Sequence, residues 1–303
     1  MSRGCWNIKL DVRLTRNLCR SAGARFAVCA VICFAGLNTV EAETSEREMA
    51  LTAYEACVSR PAAAISVTWQ PADGVFRAAS GERYFASDIH LPGFGQHASA
   101  GDDLGANSRV DLQAIPLGPA NRWGLVPAWI VQVDEEEKRL LQFADLQHGK
   151  ALYAPDLSSG VCAGFLRHAE ASARKNKTGI WDSGSGPLVF SASAPRKLEK
   201  AAGAYVIAQG RIVSLGNTRS TRYLNFGKYW KTDFTVTLKT SDEDTFNTEL
   251  VLSGWRIDAL AGQVVELRGV VQLKDGPHIA LTHPGQLVVL ENKRAGRGGQ
   301  DSN

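Results

Sequence analysis

Cys162-Ala-Gly-Phe-Leu-Arg-His-Ala-Glu-Ala-Ser-Ala-Arg174, closed by Gly179-Ile180-Trp181, is the stretch on which the reading of this chain turns. Cys162, Phe165, Leu166, Ala169 and Ala173 recur at three- and four-residue spacing, which predicts one apolar face on a helix over residues 160–177. Upstream the period changes. Ile65–Trp69, Gly74–Ala78, Arg83–Ile89, Val110–Ile115 and Trp129–Val133 are short apolar runs bounded by turn residues, and predict strands. Residues 91–107, rich in Gly, Ala, Ser and Asp, read as a loop. Leu140–Gly149 suits a short helix ended by its glycine, and residues 43–58 another, with Ser45 as cap and Glu48 three residues on. The acidic run Asp134–Glu137 reads as a solvated turn.

Downstream, residues 183–204 open on Ser-Gly-Ser-Gly-Pro and read as a linker. Tyr205–Ser214, Arg222–Phe226, Asp233–Lys239, Gln263–Val271 and His278–Leu281 predict five strands, with a helix over Glu249–Leu260 before the fourth. That order is the order of an OB-fold barrel, spanning residues 205–291. Residues 292–303 form a polar tail that is expected to be disordered.

The first 42 residues have a different character. Arg3, Lys9, Arg13, Arg16, Arg20 and Arg25 precede an apolar run from Phe26 to Leu37, and Val40-Glu41-Ala42 offers a small-residue cleavage site. This is the pattern of a cleavable signal peptide, cut after Ala42, and predicts a periplasmic or secreted protein with no transmembrane segment in the mature chain. The leader takes six of the 34 basic and two of the 31 acidic residues, so the formal charge of +3 becomes about −1 (28 basic against 29 acidic). Global charge therefore does not argue for nucleic acid. Its distribution does so weakly: residues 195–303 carry 15 basic against 11 acidic groups, and residues 43–194 carry 13 against 18. Only Cys57 and Cys162 remain of six cysteines, and one disulfide is the expected state, with a pair of buried thiols as the other reading. The six histidines have no ligand-like spacing, so no metal site is expected.

The helix ending in Gly179-Ile180-Trp181 resembles the last helix of the staphylococcal-nuclease-like (thermonuclease) family, and further fragments follow in that family's order. Asp73-Gly74 resembles its Asp-Gly-Asp-Thr turn, and Asp88-Ile89-His90-Leu91-Pro92 its Gly-Ile-Asp-Ala-Pro segment. Asn121-Arg122-Trp123-Gly124 resembles its Asp-Arg-Tyr-Gly, and Leu140-Leu141-Gln142 with Gly149-Lys150-Ala151 its next helix. The resemblance covers about residues 65–182 and implies an OB-type barrel within residues 43–182, hence a mainly β chain with a few helices and two five-stranded barrels. It implies phosphodiester hydrolysis by calcium-holding carboxylates, a glutamate base and two arginines. The residues depart from this at each step. Val75 replaces the second aspartate of the turn, His90 the central aspartate, Gly93 the general base, Phe85 the first arginine and Leu125 the second. Asp73 and Arg83 are the remnants, Arg83 lying two residues from Phe85 and so on the same strand face. The expectation is a degenerate site with no cofactor, leaving a binding or scaffold protein. A weak or altered calcium-dependent nuclease and an envelope protein–protein adaptor are the alternatives.

The second half resembles bacterial OB-fold modules in Tyr223-Leu224-Asn225-Phe226-Gly227, Leu267-Arg268-Gly269-Val270-Val271 and Gly276-Pro277-His278-Ile279. Such modules bind nucleic acid through aromatics on strands two and three with flanking basic residues. Tyr223, Tyr229 and Trp230 with Arg222, Lys228 and Lys231 fit that description, for a single-stranded nucleic acid or, failing that, an envelope protein as partner; no small-molecule substrate is implied. Alternation sets Tyr223 and Asn225 on the face opposite Leu224. The other reading is that Leu224 and Phe226 fill a barrel while the basic residues solvate a loop.

Overall fold

Apolar residues at alternate positions of Ile65–Gln70 (β1) face one core: Val67 is buried, and Ile65 and Trp69 pack against the same cluster. The computed structural model describes residues 46–58, 63–92, 111–134, 137–182, 188–229 and 231–290, and the described residues from Ala50 on form one compact unit. The leader, Gly93, the first residues of the expected linker, Trp230 and the tail lie outside the described residues.

β1 pairs antiparallel with β2 (Val75–Ala78), and β2 with β3 (Arg83–Ala86). After the two-residue strand β4 (Ile89–His90) come β5 (Asp111–Pro116) and β6 (Leu125–Asp134). β5 joins β1 to β6, and β6 runs parallel to β3, so the order β1-β2-β3-β6-β5 closes on itself. The result is a closed, mixed five-stranded barrel compatible with an OB-like fold. β7 (Glu137–Leu140) extends β6 at the rim and leads into helix α2 (Leu141–Gln147), following helix α1 (residues 46–57) in chain order. β8 (Leu152–Tyr153) pairs with β4, and α3 (Gly160–Asn176) follows. Cys57 at the end of α1 is bonded to Cys162 in α3, as expected of the one cysteine pair.

The strand expected over Arg83–Ile89 is broken at Ser87-Asp88, because Asp88 takes a left-handed conformation (φ 63°). Its buried carboxylate accepts hydrogen bonds from the backbone N–H of Asp156, Leu157 and Ser158, and from the hydroxyls of Ser87 and Ser158. Gly149 and Gly179 are needed for another reason. A Cβ on Gly149 would stand 2.1 Å from the Thr178 carbonyl oxygen, and one on Gly179 2.2 Å from the Gly149 oxygen. The α2 exit and the Gly-Ile-Trp turn therefore touch backbone to backbone, with Ile180 N–H donating to Gly149 O.

The second half has its own core, from Leu198, Val206 and Leu224 to Phe246, Leu267 and Ile279. β9 (Val189–Ser191) and α4 (Pro195–Glu199) occupy the stretch read as linker; Phe190 and Leu198 give it apolar side chains to bury. β10 (Tyr205–Arg211) continues after Ile212-Val213 as β11 (Ser214–Asn217), then come β12 (Thr221–Asn225) and β13 (Thr235–Lys239). The helix expected over Glu249–Leu260 begins earlier, as α5 (Glu243–Val251), and stops before Gly254 at φ 77°. Phe246 and Leu250 are its buried face. β14 (Val264–Val270), β15 (Gln272–Leu273), β16 (Pro277–Ala280) and β17 (Leu287–Val289) complete two sheets, β17-β14-β10-β9 and β11-β12-β13-β16-β15, around that core.

The β10–β14 face docks on α3 and β8. Arg268 donates to both oxygens of Glu170 (2.9 and 2.6 Å) and to Glu266 (2.6 Å), and Glu266 also accepts from Arg174 (3.0 Å) and Gln209 (2.7 Å). The backbone N–H of Tyr153 donates to Glu170, while its carbonyl accepts from Arg268 and from the Tyr205 hydroxyl.

Candidate functional site

The two halves each carry a cleft, and Phe85 and His90 line the first and Tyr223 the second among the positions singled out by sequence. In the first barrel, Phe85 and His90 come together with Trp69, Phe76 and Ile89 around a cleft of about 210 Å³. Its walls are largely aromatic and aliphatic, with Asp145 as the acidic group in the lining. His90 stacks on Tyr205 of the second half, ring centroids 5.1 Å apart, and burial holds its pKa below the ordinary histidine value. Val75 is a buried core residue. Leu125 is the register partner of Arg83 in the parallel β3–β6 pair.

The two remnants stand apart. The Arg83 guanidinium donates to the backbone carbonyl of Trp123 at 2.6 Å and so ties down the β5–β6 turn. Asp73 is exposed and pairs with Arg77 at 3.4 Å, four residues on. Among the described residues no three His, Cys, Asp or Glu side chains converge in a metal-ligand arrangement.

The second cleft, about 360 Å³, lies on the sheet β11-β12-β13-β16. Alternation along β12 turns Leu224 wholly inward and leaves Tyr223 and Asn225 lining the cleft. Their register partners on β13, Thr237 and Thr235, line it as well. Opposite Tyr223 on β11 stands Gly216, whose missing side chain leaves the cleft open over that strand. His278 on β16 forms a further wall, with its Nε2 2.8 Å from the Thr237 hydroxyl oxygen. Its Nδ1 and the Thr235 hydroxyl are enclosed and hydrogen bond to nothing among the described residues. Burial, then the Lys274 charge, push the His278 pKa below the ordinary histidine value, which favours the neutral ring. Lys274 and Asp275, at the tip of the β15–β16 hairpin, close the cleft's end.

No protein-family model and no curated protein matches the chain. The cleft must therefore be read from its own chemistry. Its lining combines an aromatic ring, neutral hydrogen-bonding groups and one lysine–aspartate pair.

Of the other candidates, Arg222, Lys228, Tyr229 and Lys231 are not in the cleft lining, so the flanking basic group among the described residues differs from the one expected. Arg222 points to the other side of β12 and makes two 3.0 Å bonds to Glu243, which raise its pKa and fasten α5 to the sheet. Lys228, Tyr229 and Lys231 lie on the exposed β12–β13 turn, where Tyr229 N–H donates to Asp233. That turn abuts the hairpin tip, since a Cβ on Gly276 would meet the Asp233 carbonyl oxygen at 2.9 Å. Lys274, His278, Thr235 and Thr237 were not expected at a site. For His278 the signal was present: it precedes Ile279, a core residue, and so must face the other way.

Proposed function

We propose that the protein is an exported, thermonuclease-like chain that has lost the family's catalytic residues and works as a binding protein through its second half. Single-stranded nucleic acid is the ligand class best supported. The observation that carries the reading is the cleft beside Tyr223: an aromatic ring on the second long strand of the sheet, bordered by hydrogen-bonding groups, a lysine and an aspartate. A second OB-type barrel is the reading we give to the pairing order β10/β11-β12-β13-β16-β15/β14, which returns to β10 through β14. Support for the family assignment comes from the order of its fragments and the closed first barrel. Support for export comes from the leader and the disulfide; no helix among the described residues is long and apolar enough to cross a membrane.

The test is a fluorescence titration of the purified protein with a single-stranded oligonucleotide at several salt concentrations. Base stacking contributes ~1–3 kcal/mol per base, so Tyr223→Ala should weaken binding roughly tenfold or more with little change in salt dependence. Folded protein that binds no oligonucleotide at low salt would leave the adaptor alternative in its place. Calcium-dependent cleavage that disappears with Arg83→Ala would restore the nuclease.

A further inference from the structure

We infer that Lys274 and His278 form an anion subsite beside Tyr223, and that it receives the phosphate of the nucleotide whose base stacks on that ring. This rests on the nucleic-acid reading above and assigns the charge-bearing residues it lacks, since Arg222 is engaged by Glu243. Among the described residues, two charged side chains line the cleft, Lys274 and Asp275, and they offset each other. The sign of the cleft is therefore set by His278. On the cleft side of the imidazole, β12 offers Tyr223 and Asn225, β13 offers Thr235 and Thr237, and the β15–β16 hairpin offers Lys274 and Asp275. β16 also packs against α4 and β14. Their Arg196, Lys197, Glu199, Glu266 and Arg268 are not in that lining, the last two being held in the network with Glu170. Asp233, in the turn touching Gly276, is occupied by the Tyr229 N–H, and Lys228 and Lys231 lie on the exposed side of that turn.

The ring already uses Nε2 on Thr237, and Nδ1 is enclosed without a partner among the described residues. A proton added to it creates a charge beside Lys274 that nothing in the lining offsets except Asp275. An anion entering the cleft supplies the missing counter-charge. Binding and protonation are then linked: the bound phosphate raises the His278 pKa, and affinity rises as pH falls below the ordinary histidine range. The gain approaches tenfold for each unit by which the phosphate raises that pKa.

Oligothymidylate is the probe, because its bases and phosphates do not titrate between about pH 5.5 and 8, where histidine does. The protein should bind it more tightly at the acid end, and His278→Gln should flatten the pH profile. Lys274→Gln, at an exposed position that keeps the fold, should reduce the salt slope by about one phosphate contact. It should also move the acid tightening to higher pH, because the lysine no longer opposes the imidazolium. An abasic strand of equal length should keep the Lys274 and His278 effects and lose the contribution of Tyr223. Oligothymidylate binding with no pH dependence, or with the same dependence in His278→Gln, overturns the subsite and leaves the nucleic-acid reading standing; so does an unchanged salt slope in Lys274→Gln. No binding by folded protein at either pH overturns both.

Discussion

Asp88 illustrates how much one side chain holds in place. It occupies a left-handed backbone position, which an aspartate or asparagine tolerates better than most residues. Its carboxylate also gathers three successive backbone N–H groups from residues 156–158, about seventy positions later in the chain. Asp88→Ala leaves those donors without their acceptor in a partly or wholly buried setting, at about 1–3 kcal/mol each before the loop relaxes. Urea denaturation should show a loss of about 2–4 kcal/mol for Asp88→Ala. Asp88→Asn, which keeps one acceptor oxygen and the backbone preference, should lose about half as much. Equal loss in both variants would mean that the negative charge matters more than the acceptor geometry. The residue was legible only as part of a motif resembling the family's Gly-Ile-Asp-Ala-Pro. Its partners lie in a stretch, Asp156-Leu157-Ser158, that has no pattern of its own. Tyr223 was legible because strand alternation is local. Lys274 was not, since a lysine before Asp-Gly reads as an ordinary hairpin tip.

At the level of elements, most strands fall where apolar runs between turn residues place them, and α3 runs over Gly160–Asn176 against an expectation of 160–177. Apart from the break at Ser87-Asp88, the departures share one cause. β9, α4 and β17 are three to five residues long, too short for a period to show, and form because Phe190, Leu198 and Leu287 find a core built by distant strands. The early start of α5 has the same origin: Phe246 is nearly fully buried and Glu243 is held by Arg222. α1 presents the opposite case, an element joined to the rest by a covalent bond. The Cys57–Cys162 bridge has a sequence separation of 105, for which chain-entropy arguments give about 4–5 kcal/mol relative to the open chain. Replacing both cysteines by alanine should lower the denaturation midpoint by close to that amount of stability. Non-reduced mass spectrometry should find the linked peptides in protein purified without reductant. A double variant as stable as the parent would show that the bridge constrains little in the unfolded chain.

For the whole molecule, the contact between the two halves was the least legible feature. Glu170 reads as one of several charges on an amphipathic helix, and Glu266 and Arg268 as the solvent face of a strand whose Val265 and Leu267 enter the core. Docking buries both faces of β14 and turns three apparent surface charges into one network. The side chains of Glu170, Arg268 and Glu266 retain 2%, 4% and 8% of their exposure. Two carboxylates around one guanidinium are tolerable only because Arg174 adds a second positive charge at Glu266. Burial alone would push the Glu266 pKa up, but Arg268, Arg174 and Gln209 outweigh it and hold the group below its ordinary value. A depressed carboxylate pKa contributes stability that is fully present above the unfolded value of about 4.5. It is lost as pH falls from there through the folded value. The protein should accordingly lose stability on acidification below that point. Arg268→Met leaves Glu170 in a dry interface with only the Tyr153 N–H as donor, while Glu266 keeps Arg174 and Gln209. Breaking a buried pair in this way costs about 3–5 kcal/mol near neutrality. In that variant the carboxylates favour protonation, so acidification should relieve the penalty and the gap to the parent should narrow between pH 7 and pH 4. Replacing the carboxylates together with the arginine by apolar residues of similar volume should recover most of the stability, because desolvation then no longer has to be offset. Denaturation midpoints of the three proteins at the two pH values decide the matter. A gap that stays constant with pH would show that Arg268 acts by packing and not through its charge.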